Sequence, residues 1–352
     1  MNTSSSENLS PERLPREDLL LFRQPDGTVA PVKTAEDWQL RRDEIVRSME
    51  SIMGPFPDVD SPKRVDFDLQ VEEEIDRDTY VIRRITYQTE PGCRTPAFLS
   101  IPKAALTKTD QSFPAALCFH PTDMKTGAGV VVGLGGKKNR QYASELAGRG
   151  FVTIAPVYPH LSNYEPDLAG LDYDSGTMKA IWDNVRALDL LETLPFVKPG
   201  RYAAIGHSLG GHNAIFTAIF EPRIVTIVSS CGFDSFVDYD PGNPDVWHHG
   251  EGWCQERYMP LLADYTGRLE KIPFDFHELI AALAPRKVYI SAPLNDDNFK
   301  WESVDRIAEA ARPVFKLFGP ADALRIEHPD TDHDFAGKQR ESAYRLITAV
   351  LK

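Results

Sequence analysis

The stretch at residues 201–220, RYAAIGHSLGGHNAIFTAIF, carries the pattern from which the fold of this chain is predicted. A short apolar run at 202–205 has the length and character of a buried strand, and apolar residues after it recur at helical spacing. Between them Gly206, Ser208 and Gly210 form a G-x-S-x-G sequence, which is typical of a sharp strand-to-helix turn that exposes a serine hydroxyl. Glycine is needed on either side because a Cβ there would collide with the neighbouring strand or helix.

A serine hydroxyl becomes a nucleophile only with a base beside it, and that base needs an acid to orient it. Two later segments supply these groups. A predicted strand runs into APLNDDNF, which contains Asp296, and the next predicted strand runs into HPDTDHDF, which contains His333. Parallel strands present such loops at one edge of a sheet. The chain order serine, aspartate, histidine therefore predicts a catalytic triad of Ser208, Asp296 and His333.

The acid is the least constrained member of this triad. We favour Asp296 because Phe299, three residues later, would anchor the loop with the first aspartate turned inward. The adjacent Asp297 remains an alternative. Asp234, in the segment CGFDSF after the preceding strand, is a second alternative, although an aspartate in such a loop is more often a cap or turn residue.

Acyl transfer also needs hydrogen-bond donors for the oxyanion that forms on the substrate. The backbone N–H of Leu209, directly after the serine, is one predicted donor. A second comes from the loop after the strand at 115–119, which begins with His120, Pro121 and Thr122. Because proline has no N–H, we predict Thr122 as the donor and expect His120 to brace the loop rather than to react.

The segment at 233–273 interrupts the alternation of strands and helices and is rich in glycine, proline, aspartate and aromatic residues. A connection this long inside a compact domain is usually functional, which predicts a lid or a pocket wall. An insertion that packs only on its own scaffold is an equal alternative. The predicted pocket residues are His120, His207, Trp247 and Trp253. His212, one turn into the helix after the serine, is predicted either to touch this pocket or to pack beneath the sheet edge.

The composition excludes several classes of partner. Hydrophobic residues make up 42% of the chain and charged residues 26%, which is enough to bury a large core. The formal net charge of −13 argues against nucleic acid or an anionic membrane as the main partner. No export signal or bilayer-spanning apolar run is visible, so a cytoplasmic protein is expected. The four cysteines and nine histidines form no metal-binding spacing, so we expect neither a metal nor a cofactor.

The order of predicted elements indicates the fold class. Residues 1–35 have the polar composition of a flexible or loosely packed arm, and a helix follows at 34–53. Alternating apolar and polar residues then predict antiparallel strands at 65–75, 80–89 and 97–101. Short buried strands alternating with helices follow at 115–119, 151–155, 202–205, 224–229, 287–291 and 324–327. This order predicts an α/β fold with a mostly parallel sheet covered on both faces, formed by residues 61–352, with residues 1–60 packed on it as an arm and helix.

Together these motifs resemble the α/β-hydrolase superfamily, and within it the branch of dienelactone-hydrolase-like, acetyl-xylan-esterase-like and prolyl-oligopeptidase-like serine hydrolases. The resemblance runs through HPT, YASELAGRGFVTIAPVYP, IGHSLGGHNA, APLNDDNF and HPDTDHDF, and so covers nearly the whole chain. It implies a mostly parallel sheet of about eight strands, with Ser208 as nucleophile, Asp296 as acid and His333 as base. The chain departs from the branch at His207 and at Pro121-Thr122, where lipases carry glycines, so the resemblance leaves the substrate open.

The favoured function is a serine hydrolase that cleaves a small-molecule carboxylic ester, with acetylated sugars as the preferred substrate class. A peptidase with the same triad is an alternative. Prolyl-oligopeptidase-like enzymes usually carry a propeller or large gating domain, and the about 110 residues before the HPT loop are too few for a propeller. A non-catalytic binding protein of this fold is a third hypothesis, although no triad member is missing.

Overall fold

The computed structural model describes residues 13–352 except 59, 109–111, 241–242 and 320. Its strands are β1 Leu21–Arg23, β2 Val29–Pro31, β3 Gln70–Asp76, β4 Tyr80–Glu90, β5 Cys93–Pro102, β6 Phe113–Phe119, β7 Val152–Pro156, β8 Val197–His207, β9 Ile224–Ser230, β10 Lys287–Ser291 and β11 Leu324–Glu327. Its α-helices are α1 Ala35–Met53, α2 Lys103–Thr107, α3 Tyr142–Gly148, α4 Gly176–Glu192, α5 Leu209–Phe220, α6 Phe276–Ala281, α7 Trp301–Phe318 and α8 Gly337–Leu351. Short 3₁₀ helices lie at Gly127–Val132, Pro244–Trp247, Gly252–Cys254, Pro260–Tyr265, Leu269–Lys271 and Ala321–Ala323.

Nine of the strands in the described residues form one sheet in the order β11-β10-β9-β8-β6-β7-β5-β4-β3. The strands from β11 to β7 run parallel, and β5, β4 and β3 continue the sheet antiparallel. The predicted antiparallel start and parallel remainder are therefore confirmed, with nine strands where about eight were expected. The parallel order brings the carboxyl ends of β6, β8, β9, β10 and β11 to one edge, which is where an open α/β sheet binds ligands.

The sheet separates two apolar cores, as the residues of β8 show. Tyr202 and Ala204 belong to the core beneath α1, α4, α5 and α7, whereas Ala203 and Ile205 belong to the core beneath α3 and α8. Successive side chains of a strand point to opposite faces, so a strand covered on both faces must be apolar at every position. This explains why the run at 202–205 is continuous rather than alternating. In the described residues, no helix is long and apolar enough to cross a membrane.

The N-terminal segment is more ordered than its composition predicts. From residue 13 onward it packs on the core, with Leu19 and Phe22 buried in the same cluster as the residues of α1. Arg16 reaches across to the start of α6, where its guanidinium lies 2.6 Å from the carboxylate of the buried Asp275. The expectation of a flexible or loosely packed arm over residues 1–35 does not hold for residues 13–35, which pack on the core, and residues 1–12 lie outside the described part. Ion pairs with distant residues are invisible to a local compositional argument.

A buried ionic cluster on α4 also escaped the sequence analysis. The ammonium of Lys179, which is inaccessible to solvent, lies 2.9 Å from a carboxylate oxygen of Glu90 and also contacts Asp183 one turn along the helix. Burial alone would lower the pKa of Lys179, but the two carboxylates outweigh it and raise the pKa to about 12. The cluster ties α4 to the end of β4. A lysine on an amphipathic helix is normally solvated, so the sequence shows no sign of this pairing.

Candidate active site

Ser208 lies at the sharp turn between β8 and α5, as the G-x-S-x-G sequence predicts. Its backbone adopts φ 55° and ψ −126°, a conformation that side-chain-bearing residues rarely occupy. A Cβ at Gly206 would come within 2.1 Å of the backbone of Gly210, and a Cβ at Gly210 within 2.1 Å of the carbonyl oxygen of Phe119. Both glycines are therefore required by close backbone approach, which confirms the spatial argument for the motif.

His333 and Asp296 form a hydrogen-bonded pair at the same edge of the sheet. The Nδ1 atom of His333 lies 2.9 Å and 3.0 Å from the two carboxylate oxygens of Asp296. The carboxylate is almost fully buried, and its Oδ1 also accepts hydrogen bonds from the amides of Asn298 and Phe299. Burial alone would raise the pKa of Asp296, but His333 and the two amides outweigh it and hold the pKa below 3.8. Asp296 is therefore ionised at neutral pH and turned inward, with the ring of Phe299 buried beside it.

The two alternative acids do not contact the imidazole. In the described residues no hydrogen bond joins Asp297 or Asp234 to His333, and Asp297 is exposed to solvent. Asp234 is buried, and one of its oxygens accepts a hydrogen bond from the amide of Lys300. Its burial raises the pKa of Asp234 to about 8, so this carboxyl is uncharged at neutral pH. A neutral carboxyl cannot stabilise an imidazolium, which leaves Asp296 as the acid that the geometry favours.

The structure brings His333 next to the sharp turn at residues 206–210, which we call the elbow. The ring centroid of His333 lies 4.8 Å from that of His207, the residue that precedes Ser208. Among the described residues, no hydrogen bond joins the Ser208 hydroxyl to His333. Serine–histidine hydrogen bonds are often long in unliganded enzymes and shorten when substrate binds. The turn that carries Ser208 and the His333–Asp296 pair lie at the same edge of the sheet.

Two buried side chains hold His333 from behind. The guanidinium of Arg140, which is buried, donates to the carbonyl oxygen of His333 and pairs with the carboxylate of Asp334. On the other side the buried His207 bonds through Nδ1 to the hydroxyl of Ser230, at 3.1 Å. Burial, and then the charge of Arg140, hold the pKa of His207 well below 6.5. His207 therefore contacts His333 as a neutral ring whose Nδ1 is held by Ser230.

The predicted oxyanion donors lie at the ends of β8 and β6. Leu209 is the first residue of α5 and Thr122 lies in the loop after β6. We find no protein acceptor for either amide in the described part of the chain, so both are free to bind a ligand. His120 braces the loop, because its Nε2 accepts a hydrogen bond from the amide of Tyr158 and its Nδ1 bonds to the carbonyl oxygen of Pro121. With both nitrogens engaged and its pKa lowered to about 4 by burial, His120 offers no free nitrogen to a substrate.

Three buried aromatic residues pack in a row that ends beside His333, and we call Trp253, Tyr258 and Phe299 the aromatic wall. The ring of Phe299 lies 6.0 Å from that of His333 and 6.5 Å from that of Trp253, whose ring is 5.2 Å from Tyr258. The hydroxyl of Tyr258 is 3.3 Å from that of Thr122. This contact joins the wall to the loop after β6, which we call the oxyanion loop. The insertion therefore contributes to the site through Trp253 and Tyr258.

Trp247 does not share this position. Its ring is buried against Phe236 and Tyr239 and lines a separate cavity of about 340 Å³ whose lining contains no triad residue. The prediction that Trp247 lines the substrate pocket is therefore not supported by its position. The insertion contacts Phe299 and Thr122 through Trp253 and Tyr258, and Trp247 packs on rings of the insertion's own scaffold. A lid or pocket wall stays a prediction.

His212 packs beneath the aromatic wall. Its ring is stacked between Phe216, at 4.0 Å, and Trp253, at 4.5 Å, and neither ring nitrogen has a hydrogen-bond partner in the described residues. Complete burial lowers the pKa of His212 to about 3, so it is uncharged. The stacking agrees with the expectation that His212 packs beneath the sheet edge, as a flat ring under Trp253.

His333 also lines a polar cavity of about 690 Å³. It is lined by Lys137, Lys138, Asn139, Arg140, Asn295, Asp297, Asp332, His333 and Asp334. His333 therefore contacts the ring of Phe299 and also lines a cavity rich in charged side chains.

One group of side chains has the composition of a metal site. Atoms of Cys231, Asp296 and His333 that could bind a metal lie within 4.8 Å of one another. However, His333 and Asp296 are already paired, and burial raises the pKa of the Cys231 thiol well above 9, whereas a metal needs the thiolate. The donor chemistry fits a serine-hydrolase dyad better than a metal centre.

Comparison with protein-family models gives a match at residues 166–319 to the family described as "Glucuronyl esterase, fungi". The chain is similar to the "Putative hydrolase YtaP" of Bacillus subtilis (strain 168), with 25% identity over 318 residues that cover 87% of this chain and 97% of that protein. It is also similar to 4-O-methyl-glucuronoyl methylesterase 1 of Wolfiporia cocos (strain MD-104), with 25% identity over 337 residues that cover 88% of this chain and 73% of that protein.

Solved structures show the same fold. A glucuronoyl esterase from Solibacter usitatus superposes with a TM-score of 0.73 at 19% identity, covering 96% of this chain and 98% of that chain. A glucuronoyl esterase from Caldicellulosiruptor kristjansonii gives 0.67 at 22% identity, covering 97% and 91%. Acetyl xylan esterase 1 from Thermoanaerobacterium sp. JW/SL YS485 gives 0.54 at 18% identity, covering 88% and 93%. This chain has the α/β-hydrolase fold.

The comparisons therefore confirm the predicted fold, and they confirm a serine esterase over a peptidase at the level of reaction class. The chain is similar to glucuronoyl and acetyl xylan esterases. The finer placement beside dienelactone hydrolases remains a prediction, as do the individual triad roles, the oxyanion donors and the cytoplasmic location.

Proposed function

We propose that this chain hydrolyses esters of uronic acids, with the sugar acid as the acyl group and an alcohol as the leaving group. The observation that carries the proposal is the family match at residues 166–319, which spans the elbow, Trp253, Tyr258, Asp296 and Phe299. The relatives named above as glucuronoyl esterases and methylesterases support the same substrate class. The proposal refines the expected small sugar ester by exchanging an acetyl group for a sugar acid as the acyl part.

The proposed mechanism uses the three side chains in fixed roles. Ser208 attacks the carbonyl carbon of the uronate ester while Nε2 of His333 takes the hydroxyl proton and then passes it to the departing alcohol. Asp296 receives the Nδ1–H of His333, which fixes the tautomer that leaves Nε2 as the base and stabilises the imidazolium. Water then attacks the acyl-enzyme with the same base, and the uronic acid leaves. No metal or cofactor is required in these steps.

The backbone amides of Leu209 and Thr122 are the proposed donors to the tetrahedral oxyanion. Neither amide donates to a protein acceptor in the described residues, as expected of oxyanion donors when no substrate is bound. Leu209 also begins α5, so the positive end of the helix dipole points at the developing negative charge. The contact between Thr122 and Tyr258 couples the position of the second donor to the aromatic wall. Docking of a sugar on that wall would therefore also set the oxyanion loop.

The aromatic wall supplies a surface for the sugar ring. The C–H face of a pyranose is apolar and packs on aromatic rings, while its hydroxyl groups stay available for hydrogen bonds. Phe299 follows Asp296 in the same loop and its ring lies 6.0 Å from that of His333. A sugar acid stacked on the wall would hold its carboxyl ester next to His333. The polar cavity that His333 also lines is our proposed site for the leaving alcohol.

A second candidate is deacetylation of sugars, which the structural likeness to acetyl xylan esterase 1 supports. The two candidates differ in which part of the ester is the sugar. Hydrolysis of benzyl and methyl D-glucuronate, acetylated xylose and p-nitrophenyl acetate should be measured side by side, with Ser208→Ala as the control. We expect kcat/KM for the glucuronate esters to exceed that for acetylated xylose by about tenfold or more. Acetylated xylose carries its sugar on the alcohol side of the ester and so loses the contacts proposed for the acyl sugar, and a tenfold difference corresponds to about 1.4 kcal/mol.

Faster turnover of acetylated xylose would favour the second candidate. A wild-type protein that hydrolyses no ester and does not react with a fluorophosphonate at Ser208 would contradict both, because a folded triad reacts with such probes whatever its natural substrate.

A further inference from the structure

Tyr142, the first residue of α3, contacts all three segments that carry the proposed catalytic groups, and no step of the mechanism uses it. Its hydroxyl donates a hydrogen bond to the carbonyl oxygen of Phe119, the last residue of β6. The same hydroxyl accepts a hydrogen bond of 3.2 Å from the amide of His207, the last residue of β8. The ring of Tyr142 lies 6.1 Å from that of Phe335, two residues after His333. One side chain therefore contacts the start of the oxyanion loop, the elbow and the loop that carries the base.

The hydroxyl of Tyr142 bridges the two strand ends with both of its hydrogen-bonding capacities. A phenol has one proton to donate and lone pairs that accept, and both are used here. Tyr142 is inaccessible to solvent, and burial raises the pKa of its hydroxyl above its usual value of 10, so the group stays a neutral donor at neutral pH. Phe119 and Gly206 are the last paired residues of β6 and β8, so the bridge lies where these strands separate.

The two strand ends lead directly to the proposed oxyanion donors. The amide of Thr122 lies three residues after Phe119, and the amide of Leu209 lies two residues after His207. The backbones approach closely here, since a Cβ at Gly210 would come within 2.1 Å of the carbonyl oxygen of Phe119. An oxyanion hole works only if both donors lie about 2.7–3.1 Å from the same developing oxygen. The separation of the strand ends therefore decides whether both amides reach it.

The segment that leads into α3 is anchored to the loop after β11. Asn139 donates through Nδ2 to the carboxylate of Asp334 at 2.7 Å, and the buried Arg140 donates to the carbonyl oxygen of His333. The ring of Tyr142 is fully buried in the core beneath α3 and α8. Because both the chain before it and its ring are fixed, the hydroxyl of Tyr142 acts as a rigid spacer between β6 and β8.

We propose that Tyr142 is a positioning residue, whose hydroxyl sets the distance between the oxyanion loop and the elbow and thereby aligns the amides of Thr122 and Leu209 on one oxygen. The inference rests on the proposed serine-hydrolase function and adds a residue to its site. The buried hydroxyl does not reach the substrate, and no bond to it forms or breaks. Its effect is therefore exerted in the transition state, where the oxyanion exists, and not in the binding of the neutral ester.

Tyr142→Phe removes the hydroxyl and keeps the ring. The amide of His207 and the carbonyl oxygen of Phe119 then lose their shared partner, so the strand ends should shift to bond each other directly. We expect kcat for p-nitrophenyl acetate to fall by about tenfold to a hundredfold, because a displacement of about 1 Å in a catalytic site costs up to about 10²-fold. KM should stay within about twofold, since the neutral ester does not depend on the oxyanion donors.

Inhibition by trifluoroacetophenone tests the oxyanion site directly. The oxygen of Ser208 adds to the carbonyl carbon of this ketone, the hydroxyl proton passes to His333, and the carbonyl oxygen becomes an oxyanion that needs the two amides. The inhibition constant Ki of the ketone should therefore rise in Tyr142→Phe by about the factor by which kcat/KM falls.

Tyr87→Phe is the matched control. Tyr87 is also fully buried, and its hydroxyl donates to a backbone carbonyl oxygen, that of Asp183, at 2.9 Å. It lies on β4, which is separated from β8 by β6, β7 and β5 in the sheet. We expect this variant to keep kcat and Ki within about twofold.

Thermal unfolding of each variant shows which ones fold. If Tyr142→Phe does not fold, Tyr142→p-aminophenylalanine replaces it, because the amine keeps a donor for Phe119 but accepts poorly from the amide of His207. We then expect kcat to fall by about threefold or more, with a matching rise in Ki, as one of the two bonds of the bridge is weakened. A folded variant of this kind with unchanged kcat and Ki would refute the role of Tyr142.

The outcomes separate this inference from the proposed function. If the wild type neither hydrolyses p-nitrophenyl acetate nor is labelled at Ser208 by a fluorophosphonate, the serine-hydrolase function itself fails. If the wild type is active and a folded Tyr142→Phe keeps both kcat and Ki within about twofold, only the role of Tyr142 is refuted. A lower kcat with an unchanged Ki, or an equal loss of kcat in Tyr87→Phe, also refutes that role, because the effect is then not specific to the oxyanion.

Discussion

The imidazole rings of His207 and His333 lie with their centroids 4.8 Å apart and their planes at 60°, and His207 is uncharged. A second positive charge at this distance would oppose the imidazolium that the mechanism forms on His333. Burial and the nearby guanidinium of Arg140 prevent it by holding the pKa of His207 well below 6.5. His207, which occupies the variable position of the G-x-S-x-G sequence, therefore packs against His333 without adding a charge that would oppose its protonation.

Replacement of the acid should separate the two adjacent aspartates. We expect Asp296→Asn to lower kcat by about 10³-fold or more, because an amide cannot stabilise the imidazolium and can stabilise the wrong tautomer. Asp297→Asn should keep kcat within about twofold, since Asp297 is exposed and does not bond to His333. Hydrolysis of p-nitrophenyl acetate measures both. A larger loss in Asp297→Asn than in Asp296→Asn would show that the acid has been assigned to the wrong residue.

The aromatic wall should affect sugar esters more than simple ones. Trp253→Ala removes a ring that lies 5.2 Å from Tyr258 and 6.5 Å from Phe299. We expect KM for benzyl glucuronate to rise about three- to tenfold, the effect of losing roughly 1 kcal/mol of ring packing, with a smaller change for p-nitrophenyl acetate. Trp247→Phe is the control, because Trp247 lines a different cavity. Equal changes for both substrates would mean that Trp253 only supports the fold.

His212 should make the folded state sensitive to acid. Its pKa is about 3 in the folded protein and about 6.5 when unfolded, so between these values only the unfolded chain binds the proton. Stability from this residue is complete above pH 6.5 and falls by about 1.4 kcal/mol per pH unit below it. His212→Phe keeps the stack on Phe216 and Trp253 without the buried unpaired nitrogens. Urea unfolding at pH 7.5, 6 and 5 should show a smaller loss for the variant, and parallel curves would refute the assignment.

The pair of Arg16 and Asp275 should be important for stability. Arg16→Ala leaves a buried carboxylate without its cation, although Ser235 and the amides of Phe236 and Phe276 still donate to it. We expect a loss of about 3 kcal/mol in the free energy of unfolding.

Arg306→Ala is the matched control for that experiment. Its guanidinium pairs with Asp238 at 2.7 Å, but the arginine side chain is 57% exposed, so the expected loss is below about 1 kcal/mol. Urea unfolding at neutral pH measures both variants. Equal losses would indicate that the N-terminal segment is not held through Arg16.

The sequence was most informative where local chemistry and topology coincide. The elbow at Ser208 needs glycines at fixed offsets, and parallel strands bring Asp296 and His333 to one edge, so these groups could be named in advance. The preference for Asp296 over Asp297 followed from the expected anchoring of the loop by the ring of Phe299. Such inferences work because each depends on a short segment and on a general rule of sheet geometry.

Other features depend on contacts that no short segment reveals. Trp247 and Trp253 lie in the same aromatic-rich segment of the sequence. Only tertiary packing shows that Trp253 belongs to the aromatic wall and that Trp247 packs elsewhere. The thiol of Cys231 follows an apolar run, where a buried free cysteine is expected, and its position within 4.8 Å of Asp296 and His333 depends on the turn after β9. The ion pairs of Lys179 and Arg16 likewise join residues whose partners cannot be deduced from spacing.

The contact between Arg16 and Asp275 joins residues 259 positions apart in the chain. Contacts of such large sequence separation are slow to form, because the intervening chain must be ordered before the two ends can meet. During synthesis Arg16 emerges from the ribosome early, and its partner Asp275 is added only after most of the chain has been translated. The N-terminal segment therefore cannot complete its docking on the start of α6 until residue 275 has been synthesised.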